Sequence, residues 1–235
     1  MVPRIARTTA GVSGCGRGAG AQDAALAGGL PESVRRELLP RLRLESPAPH
    51  RDPVLVRRVP TPWELVGAGN YAAVFSHPGH PDLVAKVYAP GRPGLREEAE
   101  VYRRLGPHPA YSECLYAGER FLVLRRLRGE TFYDRMRLGL TVPQRVLKDV
   151  EGALLYARGR GLRPHDVHAR NVIVREGRGF VVDVSDFLRE DTCPAWDDTK
   201  RAYRWLYAPI LGPLGLRVPR PVLEAARKLH RRFRR

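Results

Sequence analysis

RPHDVHARNVIVREGRGFVVD, residues 163–183, holds the chemistry of this 235-residue chain. It reads as loop, strand, short turn and strand. Asp166 and Asn171 sit in the loop, and Asp183 closes the second strand. Val172-Ile173-Val174 and Phe180-Val181-Val182 are short β-branched runs separated by Glu176-Gly177-Arg178-Gly179, which is the pattern of a β-hairpin. A hairpin brings its ends together, so Asn171 and Asp183 are expected to be neighbours, with Asp166 in reach of both. Two acids and an amide at one sheet edge suit a hydrated Mg²⁺ ion, which prefers hard oxygen ligands, and a phosphate ester.

The length suits one domain, or two small lobes sharing a cleft. The net charge is +16 and the isoelectric point near 10.6. Nearly all of the positive charge is arginine; lysine occurs only at 86, 148, 200 and 228. Arginine with abundant Ala, Gly and Pro fits a biased composition, and it equally fits attraction to the phosphates of a nucleotide, a nucleic acid or an acidic membrane. Cys15, Cys114 and Cys193 have no CxxC spacing and an odd count, so neither a disulfide framework nor a zinc site is expected. A reducing, cytoplasmic compartment follows as the expectation. No apolar run approaches the length of a membrane-spanning helix, and no secretory signal is read at the N-terminus.

Residues 1–30 read as disordered. Residues 31–44 carry a short helical pattern, Val34, Leu38 and Leu42, interrupted by Pro40. Residues 46–62 contain five prolines and read as a linker, so residues 1–61 are expected to lie outside the fold, which begins near Trp63. Strands follow from Trp63 to Tyr88, with the glycine-rich segment Gly67-Ala68-Gly69-Asn70-Tyr71-Ala72 between the first two. In Leu83–Tyr88, alternation puts Val84, Lys86 and Tyr88 on one face. Glycines allow close backbone approach to phosphates, Lys86 is a candidate phosphate ligand, and Val74 a candidate cover for an adenine ring. Residues 94–105 form a helix in which Glu97, Glu98 and Glu100 all remain candidate partners of Lys86. Residues 114–118 and 120–124 read as another hairpin. Helices are expected at 143–158, at 195–210 with Trp196, Tyr203, Leu206 and Tyr207, and at Pro221–Arg235, the last strongly basic.

Together these pieces resemble the protein-kinase-like superfamily, in particular short bacterial serine/threonine-protein-kinase-like proteins. GAGNYAAVF resembles its nucleotide-clasping loop and VAKVY the strand bearing its phosphate-anchoring lysine. FLVLRRLRG resembles the hinge between lobes. PHDVHARN resembles the catalytic loop, in a form also similar to that of aminoglycoside phosphotransferases. WDD at 196–198 resembles the start of the helix that buttresses that loop, with Asp197 or Asp198 structural. The fold implied is α+β and bilobal: a small antiparallel sheet with one helix over 62–124, a hinge at 124–129, and a reduced, mainly helical lobe over 130–235.

The resemblance implies MgATP-dependent phosphoryl transfer to a hydroxyl of a protein Ser/Thr or a small molecule. Asp166 takes the role of catalytic aspartate, with Lys86 paired to Glu98. Gly67, Gly69, Ala72, Val74, Lys86, Leu124 and Leu127 surround the nucleotide, and Asn171 and Asp183 bind the metal. Asp183 stands in Asp-Val-Ser where most relatives have Asp-Phe-Gly; Asp186-Phe187 is the misreading of that motif. His165 replaces an arginine that receives a phosphorylated loop in many kinases. Only thirteen residues separate Asp183 from Asp197. The short run implies a reduced platform for protein substrates, and together the departures argue against activation by loop phosphorylation. The rival readings are a non-catalytic nucleotide-binding scaffold, and binding of nucleic acid or an acidic membrane through the basic C-terminal helix.

Overall fold

Leu83–Tyr88 is the middle strand of the larger sheet, and all six of its residues are buried. The computed structural model describes residues 29–47 and 53–217. The chain divides into two compact units, Met1–Gly106 with Glu113–Arg126, and Pro107–Ser112 with Leu127–Arg235. Its class is α+β.

The first unit holds α1 (Val34–Leu38), β1 (Arg43–Glu45), β2 (Leu55–Arg58), β3 (Glu64–Ala68), β4 (Ala72–Ser76), β5 (Leu83–Tyr88), α2 (Leu95–Leu105), β6 (Cys114–Ala117) and β7 (Phe121–Arg125). The five-stranded antiparallel sheet has the order β3-β4-β5-β7-β6. β-branched and apolar residues at alternate positions fill one face, where Ala73, Phe75, Leu83, Ala85, Val87 and Val123 form one cluster.

The same cluster contains Leu30, Val34, Leu38, Val54 and Trp63, and that corrects the expected boundary. Residues 31–47 and 53–61 are part of the fold, not a linker ahead of it. Helical residues 29–38 and the β1–β2 pair cover a sheet face that would otherwise be wet. The buried Arg92 fixes this covering segment further, donating from Nε to Ser46 Oγ at 2.6 Å and from its guanidinium to the Pro47 carbonyl at 3.1 Å. Pro47, Pro53 and Pro60 lie just outside the ends of β1 and β2, where a missing N–H costs nothing. Pro40 does end the helix, and Leu42 lies beyond the turn at 39–41, still packed against the same cluster. Of residues 1–30, read as disordered, 29 and 30 are instead helical and Leu30 is buried, while residues 1–28 and the basic segment Pro221–Arg235 lie outside the described residues.

The second unit contains β8 (Glu130–Thr131), α3 (Phe132–Leu138), α4 (Gln144–Gly159), β9 (Val172–Arg175), β10 (Arg178–Val181), α5 (Ala195–Ala202) and its continuation α6 (Tyr203–Leu211), wound as a π-helix. β8, β9 and β10 make a three-stranded antiparallel sheet. The β9–β10 turn is tighter than expected: only Glu176 and Gly177 lie between the strands, both with positive φ, as a primed two-residue turn requires. Gly179 belongs to β10, where a Cβ would meet the Val146 carbonyl oxygen at 2.7 Å, so helix α4 can rest on the strand only over a glycine. In α6, Tyr203 and Tyr207 are buried but Leu206 faces outward, contrary to its expected place with them.

Candidate functional site

In the first unit the site is built on the sheet face opposite the large cluster. Directly opposed residues of antiparallel strands share a face. Ala72 is opposite Tyr88, Val74 opposite Lys86, and Leu124 opposite Val84. Four of the residues expected around a nucleotide, Ala72, Val74, Lys86 and Leu124, thus lie on one face. Leu127 does not belong to this unit; it opens the longer stretch of the second, Leu127–Arg235.

Helix α2 brings Glu98 to this face. Its buried residues are Glu98, Val101, Tyr102 and Leu105, one helical stripe. Of the three candidate glutamates, therefore, Glu98 alone turns inward. Lys86 Nζ lies 2.8 Å from Glu98 Oε1 and 2.7 Å from Oε2. The Tyr88 hydroxyl also donates to Glu98 Oε2. Glu98 is wholly buried and Lys86 nearly so. Glu100 instead faces out and is held by Arg103 and Arg104, whose hydrogen bonds lower its pKa to about 2. At Gly67 an added Cβ would touch nothing, and at Gly69 its nearest contact is the Ala72 carbonyl at 3.9 Å. The β3–β4 hairpin therefore has open space above its backbone.

In the second unit the loop 163–171 is fixed by backbone bonds. The N–H of Arg163 donates to the Phe187 carbonyl at 2.8 Å, and that of Tyr133 to the Ala169 carbonyl at 2.9 Å. The Arg170 guanidinium stacks 3.8 Å from the centre of the Tyr133 ring. Asn171 Nδ2 donates to the Asp166 carbonyl at 3.0 Å, and the Asp166 N–H donates to Cys193 Sγ at 3.2 Å. Asp166 has a positive φ of 54°, a conformation that aspartate adopts more readily than most residues. Its side chain is 51% exposed, with His168 Nε2 3.8 Å from Oδ1. His165 instead meets Asp191 at 3.1 Å.

The hairpin closes as its pattern predicts. The Val182 N–H donates to the Asn171 carbonyl at 2.9 Å, which makes Asn171 and Asp183 backbone neighbours. Asp183 also has a positive φ, 61°, and its Oδ1 accepts from the Ser185 hydroxyl at 2.8 Å. The turn carries the chain back, so Asp186 feels its neighbours. Burial raises the Asp186 pKa first, and the charges of Asp166 and Asp183 raise it further, against the pull of Arg189 and His165. Asp186, dismissed from the motif on spacing, thus belongs to the electrostatics of the site. Phe187 is fully buried, edge-on to Tyr111. A sequence signal for Asp186 exists only in retrospect: an acid three residues after a left-handed Asp183 is turned back toward it.

Asp166, Asp183 and Asp186 carry a surplus of negative charge that a divalent cation would relieve, and their oxygens, with the Asn171 amide oxygen, are hard donors. Among the described residues no three His, Cys, Asp or Glu side chains form a metal cage. Mg²⁺ needs none, because it binds through one or two carboxylates and completes its shell with water and phosphate oxygens. The donor set therefore fits. A cavity of about 320 Å³ elsewhere in this unit, between α4 and α5, is lined by Arg158, Val167, Trp196 and Lys200 among others and contains none of the expected site residues.

No family model matches the chain. Over 146 residues, 61% of the chain, it is 36% identical to "Putative serine/threonine-protein kinase YrzF" of Bacillus subtilis (strain 168), and it covers 68% of that protein. Among solved structures it aligns with the crystal structure of the Mycobacterium tuberculosis PknI kinase domain, a point mutant, at 29% identity and a TM-score of 0.40. That alignment takes in 52% of this chain and 57% of the other, so the chain spans little more than half of its length.

Proposed function

Because the chain belongs to the protein-kinase-like superfamily, we propose that it moves the γ-phosphoryl group of ATP to a hydroxyl acceptor, with Mg²⁺ as the metal. One observation carries the reading: the buried Lys86–Glu98 pair. A buried ion pair gives little stability over apolar residues of the same volume, so stability alone does not account for it. A lysine held at one point beside a glycine hairpin with open space above it accounts for it as a phosphate ligand.

In this proposal Glu98 and Tyr88 fix Lys86, which orients the nucleotide's phosphates. Val74 and Leu124, on the same sheet face, offer apolar cover to the base. Asn171 and Asp183 hold Mg²⁺, which supplies neutralisation of phosphate charge. Asp166, exposed and set by the backbone of its loop, orients the acceptor hydroxyl and takes its proton at a carboxylate oxygen. The name of the Bacillus relative supports protein serine or threonine as acceptors. The thirteen residues between Asp183 and Asp197 leave little chain to grip a protein substrate, which supports a small-molecule hydroxyl instead.

A second reading, nucleotide binding without transfer, is favoured by the Ser185 hydroxyl on Asp183 Oδ1, which competes with a metal for that oxygen. Labelled ATP offered to cell extract split into protein and metabolite pools separates the readings. Transfer to one pool, lost in Asp166→Ala and Lys86→Ala, is expected. Mg²⁺-dependent ATP binding without transfer to either pool supports the scaffold. Transfer untouched by both substitutions contradicts the assignment.

A further inference from the structure

The segment AYRWLYAPILGPLGL, residues 202–216, contains one charged residue, Arg204. Such a segment normally disappears into a core, but here most of it stays outside. Trp205 is 80% exposed, and Leu206, Ile210, Leu214 and Leu216 are about half exposed or more. This is not loose attachment. Tyr203 and Tyr207 are buried and pin α6 along one edge, donating from their hydroxyls to the Val142 carbonyl at 2.9 Å and the Leu140 carbonyl at 2.5 Å. A fixed helix and the turn after it thus present five large apolar side chains to water within twelve residues, a density that marks an interaction site.

The charge around it selects the partner. From Lys200 to Arg235 the chain carries eleven Lys and Arg against the single acid Glu224. Arg201, Arg204 and Arg217, all exposed, flank the apolar residues. A second copy of this chain would bring the same positive charge to the contact, and residues 218–235 are themselves strongly basic, so both are repelled. A nucleic acid satisfies the arginines and can stack a base on Trp205, but offers nothing to the aliphatic Leu206, Ile210, Leu214 and Leu216. An anionic lipid surface satisfies both: headgroups meet the arginines while the apolar side chains enter the acyl boundary, with tryptophan favoured at that level. Among the described residues no helix is long and apolar enough to cross a membrane. The contact is therefore one that lies on the surface. We propose that α6 and the turn after it, residues 202–217, dock the protein on anionic membranes.

The test uses the full chain and vesicles of phosphatidylcholine, with and without phosphatidylglycerol. Trp63 and Trp196 are buried, so the spectral difference between the wild type and Trp205→Phe isolates Trp205. The expected results are co-sedimentation with the phosphatidylglycerol vesicles at least about tenfold above phosphatidylcholine alone, and a blue shift of Trp205 emission on binding. Leu206→Glu with Ile210→Glu, both at exposed positions, should weaken partitioning about tenfold or more while leaving the circular dichroism and heparin retention unchanged. Arg204→Glu with Arg217→Glu should weaken the preference for phosphatidylglycerol. Three results overturn the proposal. One is no partitioning into phosphatidylglycerol vesicles. Another is wild-type partitioning of the Leu206, Ile210 variant, which means a contact of charge alone, as a nucleic acid would make. The third is Trp205 emission already blue and shielded from acrylamide without vesicles, which means that a second copy or residues 218–235 cover the face.

Discussion

Lys86–Glu98 and Asp166 are held by opposite physics. The pair is buried, charge against charge, with Tyr88 as a third member, on a strand and a helix of the first unit. Asp166 is half exposed and is fixed through its backbone by Asn171 and Cys193 in a loop of the second. In the first case the side chains are part of the core, and removing one takes from the other its buried counter-charge. In the second the side chain points to water, and the backbone holds its place whatever it carries. A group that must orient a bound ligand gains from rigidity. A group that must meet an incoming hydroxyl has to stay accessible.

The contrast can be broken most severely at Glu98. Glu98→Ala leaves the Lys86 ammonium buried without its carboxylate and should cost about 3–5 kcal/mol of stability, read from urea unfolding. Lys86→Met in the same background should recover part of that loss, because it removes the stranded charge. A stability cost below 1 kcal/mol for Glu98→Ala would mean that the pair is solvated and the contrast is wrong.

Leu38→Ala tests whether the covering segment belongs to the first unit. Leu38 is fully buried in the cluster with Phe75, so about 2–5 kcal/mol should be lost. If residues 29–59 were an appendage, the unfolding midpoint would not move.

The smallest effect sharpens the second side. Asp186 binds its proton more tightly in the folded chain than in the unfolded one, because of its burial and the charges of Asp166 and Asp183. The folded state therefore holds more protons, and this group's contribution to stability falls as pH rises through the range just above that of an ordinary aspartate. Asp186→Asn should flatten that slope. At neutral pH without Mg²⁺ it should add up to about 1 kcal/mol, discounted for the group's partial exposure. Added Mg²⁺ and nucleotide should shrink the gain. A variant less stable than the wild type at neutral pH would show that Asp186 is not repelled by its neighbours.

The hairpin at 172–182, the alternation of β5 and the stripe of α4 were legible in sequence because one period and one set of turn residues governed each. Charge and helical pattern left Glu97, Glu98 and Glu100 open; the resemblance picked out Glu98 because Val101, Tyr102 and Leu105 follow it at three, four and seven positions, and these four residues are the buried stripe of α2. The segment before Trp63 was misread because five prolines in 46–62 stand out, whereas three residues upstream, Leu30, Val34 and Leu38, decide its place by burial. Helix α3 was missed although its start is written in Thr131-Phe132-Tyr133-Asp134: the Thr131 hydroxyl accepts from the Asp134 N–H at 2.9 Å and caps the helix. Asp186 escaped because its position depends on the left-handed backbone at Asp183, which no pattern of residue types announces.

Asp166→Asn tests the account most directly, with labelled ATP transfer and urea unfolding measured on the same preparation. Stability should stay within about 0.5 kcal/mol of the wild type. Transfer should fall by about 10²–10⁴-fold, the range for removal of a positioned general base. Undiminished transfer from a stably folded Asp166→Asn protein would contradict it.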